Sequence, residues 1–61
     1  MRVRIYYKTD RKDLIREIQK HFRTTVSVNY ESEFTTDELG LSHLRIIEKQ
    51  GLIKIRSIYE T

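Results

Sequence analysis

Cysteine, proline and tryptophan are all missing from this 61-residue chain, and glycine occurs only twice. Without cysteine there is neither a disulfide framework nor a thiolate metal site. Two histidines, His21 and His43, fall short of the four nitrogen or sulfur ligands that structural zinc wants. Gly40 and Gly51 alone cannot build a phosphate-cradling glycine loop. No proline, low-complexity tract or internal repeat marks a linker, so residues 1–61 are expected to form one small domain. Nor does any stretch approach the roughly 20 apolar residues of a membrane span. The opening Met1-Arg2-Val3-Arg4-Ile5 alternates charge with apolar groups where a secretion signal would carry an apolar run. No membrane contact is therefore expected, and the cytoplasm is the expected compartment.

A chain of this length buries only about 60% of the surface its unfolded form exposes, so its own core is marginal. With no staple available, stability has to come from packing, including packing across a subunit interface, and a homodimer is expected. The net charge of +3 is unevenly spread along the chain. Residues 1–25 carry +5, residues 26–44 carry −4 without a single Lys or Arg, and residues 45–61 carry +2. Segregation of this kind makes a dipolar surface if the blocks stay apart, and a set of ion pairs if folding brings them together.

Residues 2–8 alternate with a period of two, Val3, Ile5 and Tyr7 against Arg2, Arg4, Tyr6 and Lys8, which predicts a half-buried strand. Thr9-Asp10 is a helix N-cap candidate. The period then turns helical, with Leu14, Ile15, Ile18 and Phe22 on one stripe and Lys12, Arg16, Lys20 and Arg23 nearly opposite. Alternation resumes over Thr25–Glu31, where Val26, Val28 and Tyr30 are predicted inward and Ser27, Asn29 and Glu31 outward, with extension to Phe34 allowed. Thr35 and Glu38 fit a capping box that opens a second helix reaching Gln50, and Gly51 fits the residue that ends it. Gly40 either sits inside that helix, at a cost of about 1 kcal/mol relative to alanine, or divides it in two. Leu52–Tyr59 is predicted as a third strand with Ile53, Ile55 and Tyr59 inward. The fold class is α+β, in the order β-α-β-α-β. A three-stranded sheet should have both helices on one face, because each helix has a single apolar stripe to bury. Helical crossovers favour parallel strands, yet a sheet covered on one face only calls for at least partly antiparallel pairing.

Three features bear on function. The polar sheet face should gather Arg2, Arg4, Tyr6, Lys8, Lys54 and Arg56 beside Ser27 and Asn29. Cations spaced along strands neutralise phosphates, and an exposed tyrosine stacks on a base. The first helix adds Arg16 and Lys20 as phosphate contacts rather than base readers. Finally, Thr35-Thr36-Asp37-Glu38-Leu39-Gly40-Leu41-Ser42 followed by Leu44-Arg45-Ile46-Ile47-Glu48-Lys49-Gln50-Gly51-Leu52-Ile53 resembles the later half of a winged helix-turn-helix domain. The resemblance spans residues 35–56. It implies a winged-helix-like fold, with His43, Arg45 and Lys49 on a recognition helix and Lys54 and Arg56 on the first wing strand.

Catalysis finds no assembled site. Ser42 and His43 are adjacent on a helix and do not face each other, so they make no nucleophile–base pair. Asp37-Glu38 reads as helix-start acids. The expectation is a small basic DNA- or RNA-binding protein, a regulator of transcription or an accessory to nucleic-acid processing, with no enzymatic activity, cofactor or metal. The alternative is an adaptor or inhibitor that docks on a larger protein partner through a strand edge or the acidic 31–38 segment.

Overall fold

A computed structural model describes residues 1–60, and Thr61, the last residue of the expected domain, lies outside them. The chain runs β1 (Arg2–Tyr7), α1 (Lys12–Phe22), β2 (Glu31–Thr35), α2 (Glu38–Lys49), β3 (Ile53–Tyr59). The three strands form one sheet in the order β2-β1-β3, and both pairings are antiparallel. Helix α1 therefore joins antiparallel neighbours, while β2 and β3 run parallel to each other on either side of β1 and α2 crosses over it. This topology resolves the conflict between helical connections and one-sided coverage, because antiparallel sheets tolerate one wet face.

Alternation in β1 turns Val3, Ile5 and Tyr7 to a common side, where they are buried with Phe34 of β2, Ile53 of β3, Ile18 of α1 and Leu44 of α2. Phe22, Ile15, Leu41, Ile47 and Ile55 are packed around this cluster. Both helices thus cover the same face of the sheet. Phe22 stacks on Phe34 with ring centroids 4.7 Å apart, which ties the end of α1 to the edge strand. Gly40 lies within a continuous α2. A side chain there would collide with Thr36 Oγ1 and approach Phe22 Cε1 to 3.2 Å, so close packing accounts for the glycine. Gly51 ends α2 at φ +80, as the left-handed position requires.

Four local expectations are corrected. The second strand is Glu31–Thr35 rather than Thr25–Glu31. Val28 is 97% exposed, Tyr30 is exposed, and Val26 only flanks the core. Residues 25–31 instead fold back on themselves: Ser27 N donates to Glu31 O at 2.8 Å, and Ser27 Oγ accepts from Asn29 N and Glu31 N, each at 3.3 Å. The serine hydroxyl stands in for a backbone acceptor and makes a turn of the segment. Tyr30, at φ 57, breaks the extended run just before β2.

The helix caps also move. Arg11 is the α1 N-cap and makes no side-chain cap bond. Thr9 Oγ1 instead accepts from Arg11 N at 3.2 Å. At α2 the cap is Asp37, whose carboxylate accepts from Gly40 N at 2.9 Å, rather than Thr35. Tyr59 is the last correction: it is not inward but 50% exposed. Its reversal comes from a β-bulge. Arg4 lies opposite Ser57 while Ile5 lies opposite Ile55, so Arg56 is the extra residue and every position beyond it changes face.

β2 carries one buried polar side chain. Ser32 Oγ donates to Thr25 O at 2.7 Å and lies 2.8 Å from Tyr7 Oη. Because the serine proton is committed to the carbonyl, the tyrosine must be the donor in the second bond. This short chain of bonds locks the 24–30 loop and β2 onto the central strand. Burial pushes the Tyr7 phenol up from its ordinary value, and the Ser32 hydrogen bond opposes that shift. Every buried side-chain polar atom among the described residues has a partner.

Candidate nucleic-acid interface

The sheet face that the helices leave open is set by alternation in β1 and β2 and by the bulge in β3. Arg2, Arg4 and Tyr6 project from the central strand. Glu33 lies opposite Arg4 and Glu31 opposite Tyr6 on β2. On β3, Lys54 lies opposite Tyr6, Ser57 opposite Arg4, and Tyr59 opposite Arg2. Directly opposed residues of antiparallel strands share a face, so Tyr6 and Tyr59 stand on one surface with Arg2, Arg4, Lys54 and Arg56.

β2 supplies counter-charges. Glu33 bridges two arginines, with Oε2 3.0 Å from Arg2 Nη2 and Oε1 3.3 Å from Arg4 Nη2. Glu31 Oε2 lies 3.0 Å from Arg56 Nε. The Arg2 hydrogen bond, helped by the Arg2 and Arg4 charges, holds the Glu33 carboxyl below its usual range against a smaller desolvation effect. Arg56 also sits 4.9 Å above the centroid of the Tyr6 ring, in cation–π range. Lys54 makes no ion pair among the described residues. Four cations and two carboxylates leave this face with two net positive charges. The acids form a strip along the β2 side, and the cations and tyrosines occupy the rest.

Six of the ten residues expected from sequence to make the interface are at or beside this face: Arg2, Arg4, Tyr6, Lys54 and Arg56, with Lys8 just past the end of β1. Ser27 and Asn29 reach its border from the loop rather than from a strand, lining a depression with Arg4 and Glu33. The other four are elsewhere. Arg16 and Lys20 are exposed on α1, and Arg45 and Lys49 are exposed on α2, in the layer behind the sheet. The Leu39-Gly40-Leu41-Ser42 stretch that carries the winged-helix resemblance lies inside α2. His43 meets His21 of α1, ring centroids 5.0 Å apart.

Sequence reasoning turned Glu31 outward without counting it in the interface, and missed Tyr59 and Glu33 as members of this surface. The acids carried a usable signal, since Glu31-Ser32-Glu33-Phe34 alternates once serine is allowed an inward position. Tyr59 carried none, because a one-residue bulge leaves no mark in the periodicity. No group of three or more His, Cys, Asp or Glu side chains suited to a metal occurs among the described residues. No helix among them is long and apolar enough to cross a membrane. Comparison with family models, with curated proteins and with solved structures finds no match for the chain.

Proposed function

We propose that the open sheet face binds a nucleic-acid strand with unpaired bases, DNA or RNA, in a regulatory or nucleic-acid-processing role. One observation carries the reading: two tyrosines share with four cations the face left uncovered by both helices. Tyr59 offers an exposed ring on which a base stacks, and the half-buried Tyr6 ring offers a second once the Arg56 guanidinium above it moves to a phosphate; stacking of this kind contributes about 1–3 kcal/mol per base. Arg2, Arg4, Lys54 and Arg56 supply phosphate contacts, with Lys8 at the rim. Glu31 and Glu33 occupy the guanidinium groups in the free protein. A phosphate presents the same fork-compatible oxygens as a carboxylate, so an incoming strand replaces Glu33 on Arg2 and Arg4 instead of meeting naked charge. In this reading Arg16, Lys20, Arg45 and Lys49 make no contact with a strand held on the sheet.

The test is a titration of fluorescent single-stranded DNA and RNA oligonucleotides, with duplex controls, at several salt concentrations. Single strands give a slope of log affinity against log salt near −0.7 per phosphate neutralised, so four contacts give about −3. Lys54→Ala should flatten that slope by about 0.7, and Arg16→Ala with Lys20→Ala should leave it unchanged. No binding to either strand type at low salt would end this reading. The rival, a module that docks on a larger protein through a strand edge or the acidic 31–38 segment, is less favoured because Glu31 and Glu33 of that segment are paired with Arg56, Arg2 and Arg4.

A further inference from the structure

Helix α2 carries two apolar ridges. One holds Leu44 in the core; the other holds Leu39, 81% exposed, and Ile46, 57% exposed. Seven residues fall about 20° short of two full helical turns, so Leu39 and Ile46 point almost the same way, about 10 Å apart. Leu44 points about 140° away from Leu39. The outer ridge therefore faces away from the sheet. Beside it, between α1 and α2, runs a groove of about 300 Å³ floored by Ile18, Phe22 and Ile47 and bordered by His21 and His43.

We propose that this surface is the contact of a two-fold homodimer, with Leu39 and Ile46 of each copy seated against α2 and its flanking groove in the other. The order of charge along α2 selects a second copy over other partners. The helix begins with Asp37 and Glu38 and ends with Arg45, Glu48 and Lys49, and Glu48 is turned toward the sheet, its Oε2 accepting from Ile55 N at 2.8 Å, so the exposed end is basic. Turned end for end, the same helix presents its basic end to the acidic start and its acidic start to the basic end. That is the self-complementarity an isologous interface needs. Antiparallel packing also opposes the two helix dipoles, which adds to the attraction. Midway between Leu39 and Ile46 the two-fold axis passes near Ser42 and His43, where no side chain bears a fixed charge to repel its copy. The ridge lies on the opposite side of the molecule from the open sheet face, so dimerisation stands independently of nucleic-acid binding and would display two such faces outward.

An interface built on one helix and one groove is at the small end of specific contacts, so the dimer should dissociate in the micromolar range. Sedimentation of the full chain from about 1 µM to 1 mM tests it, with far-UV circular dichroism on every variant. Because Leu39 and Ile46 are solvent-exposed, their substitution leaves the monomer folded. Leu39→Glu with Ile46→Glu should raise the dissociation constant at least about 100-fold. Glu38→Lys and Lys49→Glu should each weaken the dimer about tenfold, and the two together should restore it. A chain that stays monomeric at 1 mM overturns the proposal, as does a dimer indifferent to the Leu39/Ile46 change. Failure of the paired charge reversal to recover association overturns the antiparallel arrangement. Loss of dimer with oligonucleotide binding intact separates this surface from the sheet face.

Discussion

On the inner face of the sheet, Val3, Ile5, Tyr7, Phe34 and Ile53 are shut away from water under two helices. On the outer face, Arg2, Arg4, Lys54, Arg56 and Tyr59 alternate with them along the same strands and reach solvent. The backbone is common to both, yet the two sides answer to different physics. Inner positions are held by burial, where removing a few methyl groups costs kilocalories and leaves a void. Outer positions are held by hydrated ion pairs, which add little to stability and rearrange at low cost. The outer face can therefore bear a function that the inner face could not, because its side chains exchange partners without endangering the fold.

The contrast breaks most visibly at Ile5. This residue is completely buried on the central strand, and Ile5→Ala should cost about 2–5 kcal/mol. For so small a core that is a large share of the total, so urea denaturation should find the variant largely unfolded at 25 °C. Arg4→Ala, one residue away on the other side, should leave the midpoint nearly where it was. Equal effects at the two positions would abolish the distinction.

Next in size is the polar intrusion on the inner face. Ser32→Ala leaves the buried Tyr7 Oη without a partner and takes from Thr25 O its shorter donor, at a cost of about 1–3 kcal/mol, whereas Tyr7→Phe removes only the Tyr7–Ser32 bond and should cost about 1 kcal/mol. Tyr7 also sets an alkaline limit. Its phenol is raised by burial, so the neutral form is favoured in the folded state. The stability this contributes is complete below the ordinary phenol value and is lost as pH rises through the higher folded value. Tyr7→Phe should remove that part of the alkaline decline in chemical denaturation measured across pH.

The bulge sharpens the comparison on the outer face. Deletion of Arg56 makes Ile55 and Ser57 consecutive, opposite Ile5 and Arg4, so the ladder becomes regular while Ser57 and Tyr59 keep the outer face. Deletion should therefore weaken oligonucleotide binding no more than Arg56→Ala, which removes the same cation, whereas Tyr59→Ala should lower the affinity about tenfold. If Tyr59→Ala binds as the unaltered chain does, Tyr59 has no part in the interface.

The smallest expected effect is at Glu33. Glu33→Gln frees Arg2 and Arg4 from their carboxylate, so oligonucleotide affinity at low salt should rise severalfold, while the denaturation midpoint barely moves. The Glu33 carboxyl is depressed chiefly by the Arg2 hydrogen bond. Whatever stability it adds is present above the ordinary carboxylate value and lost as pH falls through the lower folded one, and Glu33→Gln should reduce that acid-side slope. Weaker binding in this variant would mean the acids assist the ligand rather than compete with it.

Much of this architecture was legible before any coordinates. Clean alternation in residues 2–8, the Leu14–Phe22 stripe and Gly51 located the central strand, the first helix and the end of the second. The edge strand was misplaced because hydrophobic period rewards Val26-Ser27-Val28 over Ser32-Glu33-Phe34. A serine that is buried because Tyr7 and Thr25 satisfy it looks from the sequence like a surface residue. The positive stretch of β1 reads as a face and ion pairing with the acidic block is an open alternative, but the partners are not legible, since Glu33 is 29 residues from Arg4 and meets Arg2 and Arg4 only through sheet register.

Local pattern alone determined β1, both helices and β3, and which side of β1 turns inward, because those choices depend on neighbours within one or two turns of chain, whereas the extent of β2 did not follow from it. The placement of β1 at the centre of an antiparallel sheet, the pairing of Arg2, Arg4 and Arg56 with the acids of β2, and the exposure of Tyr59 were decided by tertiary structure. These depend on register between distant strands, and a single extra residue at Arg56 is enough to exchange inside for outside.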